Sequence, residues 1–446
     1  MGLLFGTDGV RGVANQELTP ELAFRLGRAG AFVLSRDGKR PRIMLGKDTR
    51  VSGDMLEAAL IAGILSVGGD CLRAGVITTP GLAYLTRVSE CCAGVVISAS
   101  HNPVPDNGIK FFGGDGFKLP DAVEEEIERL VLTDDFAFPQ PTGAGIGRVY
   151  EEDGGLNRYL AFLKEQAAVD LSGIRLVIDC AHGSASNLAP RLFAELGADL
   201  TVLHNEPNGV NINEGCGSTH PYPLQQAVVS LGADLGLAFD GDADRVVAVD
   251  EKGNLVDGDQ ILVICGLARK RKGLLPGGRV VVTVMSNLGL REAFQRENVE
   301  VIETKVGDRY ILEEMQKTGA VLGGEQSGHI IFLDRTTTGD GLLTALELLK
   351  VVRESNEPLS RLAAQMTRFP QVLVNVPVQN KRGLFDNPVI AEAIRLAEAR
   401  LAGRGRILVR PSGTEPVVRV MGEGPHEEEL KEVVGGVAQV VKASLG

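Results

Sequence analysis

The stretch Ala93-Gly94-Val95-Val96-Ile97-Ser98-Ala99-Ser100-His101-Asn102-Pro103 joins an apolar run to a polar loop. The run at 93–98 predicts a buried strand, because short β-branched apolar runs are typical of strands covered on both faces. The loop then lies at the carboxyl end of that strand, where open α/β sheets bind their ligands. This pairing of a buried strand with a polar loop indicates how the rest of the chain is organised.

The pattern occurs three times. In each repeat a strand, a helix and a second strand are followed by another helical stretch and a third apolar strand, which is typical of parallel α/β units. The predicted strand, helix, strand and third strand are 42–46, 54–67, 70–74 and 93–98, then 174–180, 185–196, 199–204 and 234–239, then 279–285, 288–297, 299–304 and 319–322. The three third strands lead into the loops at 98–103, 240–245 and 323–329, which we expect to converge on one cleft.

The rest of the chain differs from the repeats. Residues 136–147 are rich in Pro and Gly and are interpreted as a linker, and residues from about 367 predict a strand at 371–378, a helix at 388–402, a strand at 407–410 and a C-terminal helix. We therefore predict an α/β fold of three similar α/β domains with mixed sheets plus a fourth α+β domain around a central cleft. The predicted bounds are 1–150, 151–254, 255–366 and 367–446.

Composition limits the classes of function. The 446 residues contain 46 Lys and Arg against 58 Asp and Glu, a net charge of −12, which argues against nucleic-acid binding but not against a small anionic substrate. No apolar run approaches the ~18 residues that span a bilayer, and no signal-type segment opens the chain. The six cysteines form no C-x-x-C pair, which favours reduced thiols. We expect a cytoplasmic protein that contacts neither membrane nor nucleic acid, and the 56 glycines predict many tight loops.

Three carboxylates, Asp240, Asp242 and Asp244, stand at alternate positions after the second repeat's third strand. Hard oxygen ligands at this spacing suit Mg²⁺ or a similar ion. Glu251 falls at the twelfth position, as in an EF-hand, but Arg245 occupies the sixth position, where that loop requires Gly. A solvated turn is the other alternative, and it would leave three like charges without a counter-charge.

Ser100 lies in a sharp loop before Pro103, and we expect it at the loop surface. A serine in a turn is usually only a turn residue. Its place after a buried strand, opposite a carboxylate loop, favours a phosphoryl-transfer nucleophile, and the absence of a G-x-S-x-G elbow argues against acyl transfer. Lys110 follows this loop and is a candidate general base if its pKa is depressed. His101 and His329 are the other candidates.

Several Gly-rich loops offer groups that bind phosphate or sugar. The segment at 410–416, with Arg419 beyond it, combines guanidiniums, hydroxyls and Gly-exposed N–H groups, which is the composition of a phosphate cradle. The loop at 6–12 presents the side chains of Thr7 and Arg11. The loops at 305–309 and 325–329 are candidate contacts to a sugar. The candidate phosphate-binding residues are Arg410, Ser412, Gly413, Thr414 and Arg419, and the candidate catalytic or substrate-binding residues of the other loops are Thr7, Arg11, Arg245, Gly307, Asp308, Glu325, Ser327 and His329.

Taken together, these motifs resemble the α-D-phosphohexomutases. ISASHNP at 97–103, DNGIKFF at 106–112, DGDADR at 240–245, KVGDRY at 305–310, GGEQSGH at 323–329 and RPSGTEP at 410–416 stand in that family's order, and GTDGVRG at 6–12 precedes them. NIN at 211–213, CGSTH at 216–220 and the loop at 305–310 are similar to the branch that acts on glucosamine phosphate. Pro105 occupies a position that varies in the family.

The resemblance implies that Ser100 is carried as a phosphoserine bound to Mg²⁺ with Asp240, Asp242 and Asp244. It implies interconversion of glucosamine 6-phosphate and glucosamine 1-phosphate through a glucosamine 1,6-bisphosphate intermediate, which supplies UDP-N-acetylglucosamine and cell-wall synthesis. It also implies a homodimer formed through the first domain. Ser100 would first be phosphorylated by an activating kinase or by autophosphorylation.

Three alternatives stay open. A phosphomannomutase/phosphoglucomutase would differ mainly in the loops at 305–310 and 325–329. A metal-dependent phosphatase would use the same serine but release free phosphate. A phosphosugar sensor would require neither a nucleophile nor a metal loop.

Overall fold

The structure, a computed structural model, describes residues 4–35, 40–133, 137–381, 383–412 and 416–446. The chain divides into two compact units. The first comprises residues 1–285 and 298–365 and holds three sheets, and the second comprises residues 286–297 and 366–446 and holds one.

The first sheet has six strands in the order β1-β5-β4-β2-β3-β6. Pairs β2–β3, β2–β4 and β3–β6 are parallel, and β5 runs antiparallel to both β4 and β1. The strands are β1 Val10–Val13, β2 Arg42–Lys47, β3 Asp70–Val76, β4 Ala93–Ile97, β5 Asp106–Gly113 and β6 Val149–Glu151, and the helices are α1 Pro20–Val33, α2 Ser52–Ser66, α3 Thr79–Val88 and α4 Asp121–Leu132.

The second and third sheets are smaller, with orders β11-β10-β9-β7-β8 and β13-β12-β14-β15. Their strands are β7 Arg175–Asp179, β8 Asp199–Leu203, β9 Leu235–Phe239, β10 Val246–Asp250, β11 Leu255–Val256, β12 Arg279–Thr283, β13 Glu300–Thr304, β14 Leu322–Gly324 and β15 Ile330–Phe332. The helices of this part are α5 Gly155–Ala167, α6 Leu188–Glu195, α7 Tyr222–Leu231, α8 Gly258–Arg271, α10 Asp308–Thr318, α11 Gly341–Ser355 and α12 Leu359–Ala363. Short 3₁₀ turns lie at Gly143–Gly145, Ser184–Ser186 and Pro276–Gly278.

One four-strand arrangement recurs in these three sheets. The orders β5-β4-β2-β3, β10-β9-β7-β8 and β15-β14-β12-β13 each place the third strand of the repeat beside the first, with an antiparallel strand outside it. The prediction of three similar α/β domains with mixed sheets is confirmed. Because β4, β9 and β14 occupy equivalent places, the loops that follow them leave equivalent sheet edges.

Helix caps and close packing explain the first domain. Thr19 caps α1 by accepting a hydrogen bond from the Leu22 N–H, and Pro20 at the first helical position fixes φ for the turn. Helices α1 and α2 approach closely because Gly27 and Gly63 face the opposing backbone, where a Cβ would lie 2.4 Å from the Leu60 oxygen and 2.2 Å from the Phe24 oxygen. The resulting layer covers a core of Ile, Leu, Val and Phe side chains on the sheet.

The second unit holds a three-stranded antiparallel sheet in the order β16-β18-β17 with two long helices, α13 Pro388–Leu401 and α14 Glu427–Leu445. Its strands are β16 Gln371–Pro377, β17 Arg406–Pro411 and β18 Val417–Glu423. The sequence prediction omitted β18, which is the central strand. The α9 helix, Leu288–Arg296, also belongs to this unit, since buried Glu423 accepts the Leu288 N–H at 2.8 Å.

The third strand of the third repeat and the segment at 136–147 differ from what the sequence predicts. The third repeat's strand was expected at 319–322 and lies at Leu322–Gly324, because Gly319 adopts φ 71° and ends α10. The expected linker is partly described: Phe136 lies outside the described residues, while the Gly147 N–H donates to the Leu65 carbonyl at 3.1 Å. This segment is therefore packed on α2. The domain bounds remain a prediction.

None of the helices in the described ranges combines the length and the apolar character that a membrane crossing requires. Five cysteines are buried free thiols, Cys71, Cys91, Cys180, Cys216 and Cys265.

Candidate active site

The three polar loops that the repeats predict lie against one another. The Ser100 Oγ, after β4, donates a 2.5 Å hydrogen bond to Asp240 Oδ2, after β9. His329, after β14, places Nδ1 3.5 Å from Asp244 Oδ2. The sheet edges of three domains therefore contribute to one site, as expected for loops that leave equivalent strand ends.

Ser100 is fully buried, so the expectation that it lies at the loop surface is wrong. Its backbone adopts φ 54°, a left-handed conformation that costs a non-glycine residue free energy unless the surroundings fix it. The Ser98 Oγ accepts the Ser100 N–H at 2.9 Å, and the Asn213 Nδ2 donates to the Ser100 carbonyl at 2.9 Å. These bonds orient the hydroxyl toward the aspartate loop.

Arg50 is the largest contributor to this support, although it lies in none of the predicted site loops. Its guanidinium is completely buried and donates to the carbonyl oxygens of Ser100, Asn102 and Pro103 at 3.1, 2.8 and 2.6 Å. Asp48 holds the guanidinium in turn, with Nε 3.0 Å from Oδ2. The detectable signal is a charged pair directly after β2, which occupies the same sheet edge as the serine loop.

The three aspartates form a compact oxygen cluster, in which one ligand atom of each lies within 4.8 Å of the others. All three are buried. Within the described part of the chain, the Oδ1 atoms of Asp242 and Asp244 have no hydrogen-bond partner. Buried carboxylate oxygens without partners are unfavourable unless a cation binds them, so the donor set fits a hard divalent ion.

The electrostatics of the cluster favour the binding of a positive charge. Burial, followed by the charges of Asp244 and Asp242, raises the pKa of Asp240 well above its usual value. Burial acts on Asp244 in the same direction, but Lys110, His329 and Arg245 outweigh it and hold the pKa of Asp244 below its usual range. One carboxyl of the set thus resists ionisation until further positive charge arrives.

Cationic side chains surround these carboxylates. Lys110 Nζ lies 2.8 Å from Asp242 Oδ2 and 3.7 Å from Asp244 Oδ2, and Thr79 Oγ1 donates to Asp242 Oδ2 at 2.6 Å. Arg245 places Nε 3.7 Å from Asp244 Oδ1, and its backbone N–H donates to Asp240 Oδ1 at 3.1 Å. The site therefore combines ligands for a cation with counter-charges for an anion.

The loop at 6–12 is connected through ion pairs to the residues around the carboxylate cluster. Arg11 lies 3.4 Å from Asp8, and Lys118 bridges Asp8 at 3.0 Å and Asp308 at 2.5 Å. Thr7 lies beside Gly307, whose added Cβ would be 3.7 Å from the Thr7 Cγ2. Asp8 and Lys118 were not predicted as site residues, although Asp8 contacts Arg11 and Lys118 contacts Asp308.

The loop at 325–329 places its three predicted residues in different environments. The Glu325 Oε1 accepts the Gly307 N–H at 3.3 Å, and burial raises the pKa of Glu325. His329 is buried between Asp244 and Asp308, with each carboxylate oxygen 3.5 Å from a ring nitrogen. Ser327 is exposed, so it is available to a ligand at the loop surface.

The three candidate bases differ in charge. Burial lowers the pKa of Lys110, but Asp242 and Asp244 outweigh it and the net shift is upward, so Lys110 is cationic. The pKa of His329 is raised to about 9, because Asp244 and Asp308 outweigh its burial. Burial, then Arg245 and Arg11, lowers the pKa of His101 to about 4, and its Nδ1 lies 3.4 Å from the Ser100 Oγ. At neutral pH only His101 of the three is uncharged.

The predicted phosphate cradle lies in the second unit. Arg410 and Arg419 face each other across β17 and β18, and burial together with the Arg419 charge lowers the pKa of Arg410. Ser412 is buried at the end of β17, and its carbonyl accepts from Lys381 Nζ at 2.8 Å. Gly413 and Thr414 lie outside the described residues. Two adjacent guanidiniums of this kind favour a bound anion.

The fold and the loops define a class of protein. Three repeated α/β domains, a serine hydroxyl on a carboxylate cluster, and separate cationic loops are the parts that phosphoryl transfer between sugar hydroxyls requires. Sequence profiles of four domains described as phosphoglucomutase/phosphomannomutase match residues 2–138 (domain I), 157–253 (domain II), 257–369 (domain III) and 373–440 (C-terminal domain). The chain belongs to this phosphohexomutase family, within its phosphoglucosamine mutase group.

That group assignment follows from full-length relatives. A phosphoglucosamine mutase of Heliobacterium modesticaldum is 59% identical over 99% of this chain and 100% of its own length. A phosphoglucomutase/phosphomannomutase family protein of Burkholderia thailandensis has a TM-score of 0.80 at 25% identity, covering 98% of this chain and 97% of its own. An Aspergillus fumigatus N-acetylphosphoglucosamine mutase, in complex with GlcNAc-6P and magnesium, has the same fold at 20% identity, with a TM-score of 0.72 over 100% and 96% of the two chains.

Proposed function

We propose that this chain interconverts glucosamine 6-phosphate and glucosamine 1-phosphate by moving a phosphoryl group to and from the Ser100 oxygen. The observation that carries the proposal is the Ser100 Oγ, held 2.5 Å from Asp240 within a buried carboxylate cluster and beside Lys110, Arg245 and Arg11. A nucleophilic oxygen in this environment suits phosphoryl transfer.

In the forward direction the phosphoryl group leaves phosphorylated Ser100. The bond between its phosphorus and the serine oxygen breaks, the sugar O1 bonds to that phosphorus, the O1 proton passes to a base, and the released serine oxygen takes up a proton to become a hydroxyl. The product is glucosamine 1,6-bisphosphate. After this intermediate has reoriented in the site, the bond between O6 and its phosphorus breaks, the Ser100 hydroxyl gives up its proton to the base and bonds to that phosphorus, and O6 takes up a proton, which leaves glucosamine 1-phosphate. Both steps require the same serine and a reversible proton acceptor.

His101 fits the role of proton acceptor better than the other two candidates. Its pKa of about 4 leaves the ring neutral at physiological pH. Lys110 and His329 are cationic, so their contribution is to offset the charge of about −1.5 to −2 on a phosphoserine. Lys110 could act as the base only if its pKa were lowered, which is opposite to the upward shift found.

Mg²⁺ fits the carboxylate cluster, and Asp240, Asp242, Asp244 and a Ser100 phosphoryl oxygen would hold it. When bound, the ion offsets negative charge on the transferring phosphoryl group. Two unpartnered carboxylate oxygens in the described residues support this assignment, as does the magnesium in the Aspergillus fumigatus complex. The chain's own residues then position the reacting oxygens and keep them away from water.

Sugar recognition is assigned to Glu325, Ser327, Gly307 and Asp308, with Thr7 close by. The sugar ring must bind in two orientations. These groups should therefore bind hydroxyls that occupy similar positions before and after the bisphosphate intermediate reorients. Arg410, Ser412 and Arg419 of the second unit are assigned to the phosphate that is not reacting, together with Gly413 and Thr414.

The deciding experiment combines an assay with mass analysis. Glucosamine 6-phosphate, mannose 6-phosphate and glucose 6-phosphate are compared as substrates at equal concentration, and glucosamine 6-phosphate should give the highest kcat/KM. The intact mass should show one phosphoryl group, mapped to the peptide of Ser100. A preference for mannose or glucose phosphate would reject the substrate assignment, and release of free phosphate at the rate of turnover would indicate a phosphatase instead.

The remaining assignments are proposals that rest on family resemblance. The first phosphorylation of Ser100 is assigned to an activating kinase or to autophosphorylation, the active form to a homodimer and the reaction to the cytoplasm. Incubation of dephosphorylated protein with glucosamine 1,6-bisphosphate, followed by mass analysis, would show whether a kinase is required. Light scattering would give the oligomeric state.

A further inference from the structure

A second set of metal-binding side chains lies at the edge of the second sheet, outside the phosphoryl-transfer site. Asp179 is the last residue of β7, His204 follows β8, and Cys216 lies in the loop before α7. One ligand atom of each lies within 4.8 Å of the others. Asp179 and Cys216 are fully buried, whereas the His204 side chain is 29% exposed, which leaves an entry path from solvent.

The donor types differ from those of the catalytic cluster. A carboxylate, an imidazole and a thiol are the ligands of Zn²⁺, and neither Mg²⁺ nor Ca²⁺ prefers sulfur or nitrogen. We propose that Asp179, His204 and Cys216 form a site for one zinc-class divalent cation, with water as the fourth ligand. This site is separate from the proposed mutase function and does not depend on it.

The carboxylate of Asp179 is already oriented for this role. Its Oδ1 accepts the Ala181 N–H at 2.9 Å, and its Oδ2 accepts the Gly217 N–H at 3.0 Å and lies 3.0 Å from the His204 Nδ1. Metal-ligating carboxylates are commonly fixed by such hydrogen bonds. The Asp179–His204 ion pair is the arrangement expected without a cation, and Cys216 beside it is the feature that the ion pair alone leaves unexplained.

A cation here would fasten loops that support the active site. The Ala181 carbonyl accepts the Asn213 N–H at 2.9 Å, and the Asn213 side chain in turn holds the Ser100 carbonyl. The Ser184 N–H donates to the Gly241 carbonyl at 2.8 Å. Joining β7, β8 and the Cys216 loop through one ion would therefore stiffen the backbone around both Ser100 and the aspartates.

Binding is a ligand exchange without redox change. The Cys216 S–H bond breaks, and the N–H bond of the coordinating His204 nitrogen, protonated in the ion pair with Asp179, breaks as well. Sulfur and nitrogen bond to the cation in place of these hydrogens, and both protons pass to solvent. One water of the hydrated ion is retained, and the others are released.

The test uses Co²⁺ as a spectroscopic probe with the full-length chain, in buffer that contains excess Mg²⁺. One equivalent of Co²⁺ should produce a thiolate-to-cobalt charge-transfer absorption, and Zn²⁺ should abolish it by competition. C216S should remove the band, and H204Q should weaken Co²⁺ binding at least ~100-fold, since loss of only a ligand's hydrogen-bond partner costs 10- to 100-fold.

Three controls make the result specific. C92S and H220Q change a cysteine and a histidine outside the cluster and should keep the band. D242N alters the catalytic cluster and should keep it as well. Circular dichroism confirms that each variant is folded. Absence of a band in the folded wild-type chain, or its persistence in C216S, would overturn the proposal.

Discussion

Two clusters of side chains that could hold a metal ion occupy neighbouring strand ends of the second sheet, and they differ in nearly every physical respect. Asp179 ends β7, which pairs in parallel with β9, and Asp240 directly follows β9. The cluster after β9 contains only carboxylates and is surrounded by Lys110, Arg245 and His329. The cluster at β7 mixes oxygen, nitrogen and sulfur, and backbone N–H groups orient its carboxylate.

The difference shows that the sheet edge supplies a location and the side chains decide the chemistry. Cations around the aspartates allow a bound ion and an anionic phosphoryl group to share one buried space. The cluster at β7 has fewer neighbouring charges, so it suits an ion that fastens loops. Five predictions test these clusters and the groups around them, and their expected effects decrease from the first to the last.

Removal of the nucleophile should have the largest effect. S100A should lower kcat by on the order of 10⁴-fold or more, because the phosphoryl group has no oxygen to return to. Mutase turnover and intact mass are the measurements, and the phosphoryl adduct should vanish. S89A, at the opposite end of α3 from Thr79, is the matched control. Substantial turnover by S100A would exclude a phosphoserine mechanism.

Removal of one charge from the carboxylate cluster should come next. D242N should reduce kcat by about 10²–10³-fold, the range seen when one electrostatic stabiliser of a transition state is lost. It should also raise the Mg²⁺ concentration that gives half-maximal activity. A Mg²⁺ titration of activity measures both, and a curve identical to wild type would show that Asp242 does not serve the ion.

Loss of the Arg50 hydrogen bonds that position the serine loop should lower kcat less than loss of Ser100 or Asp242. R50K keeps the positive charge, but its single ammonium nitrogen has three donors and no planar fork, so it cannot replace the four bonds of Arg50 to Asp48 and the three carbonyls, and kcat should fall by about 10²-fold while KM changes little. Steady-state kinetics gives this split. A rise in KM with unchanged kcat would indicate that Arg50 serves substrate binding instead of positioning Ser100.

The pH profile should be broad. Neutral His101, with its pKa lowered to about 4, is present from neutral pH down to that value and is lost as pH falls further. Cationic His329, with its pKa raised to about 9, is lost as pH rises through that value. The plot of kcat/KM against pH should therefore fall at both extremes. H329Q should remove the alkaline limb, and an unchanged limb would assign it to another group.

The smallest effect is expected when the cluster at β7 is altered and the dependence of activity on Mg²⁺ is measured. C216S should leave the Mg²⁺ concentration for half-maximal activity within about twofold of wild type, because Mg²⁺ does not select sulfur ligands. The same titration as for D242N provides the comparison. A large shift in C216S would show that the two clusters share one ion.

Much of the site was accessible from sequence because its residues follow apolar strands. Ser100, the three aspartates and the loop at 325–329 each stand directly after a third strand, so their convergence was predictable. Asp48 and Arg50 follow β2, the first strand of the repeat and not a third strand, and Thr79 and Lys118 stand directly after no strand. Their roles depend on which backbone carbonyls and carboxylates lie opposite them, and that requires the packed domains.

The burial of Ser100 and the presence of strand β18 also depend on tertiary packing, and neither was predicted from the sequence. A loop residue next to proline is expected at the surface, but the aspartate loop of the second domain covers Ser100. The β18 strand was omitted beside a Gly- and Pro-rich loop, although most of its residues are buried and it pairs with both other strands of the sheet.

The sequence by itself determined the three repeats, the order of the reactive loops and the residue types of the carboxylate cluster, because periodicity and ligand chemistry are local properties. Only the tertiary structure decided the charge state of His101, Lys110 and His329, the burial of Ser100 and the meeting of Asp179 with Cys216. Burial free energies and Coulomb interactions depend on distances between residues far apart in the chain, and folding alone sets those distances.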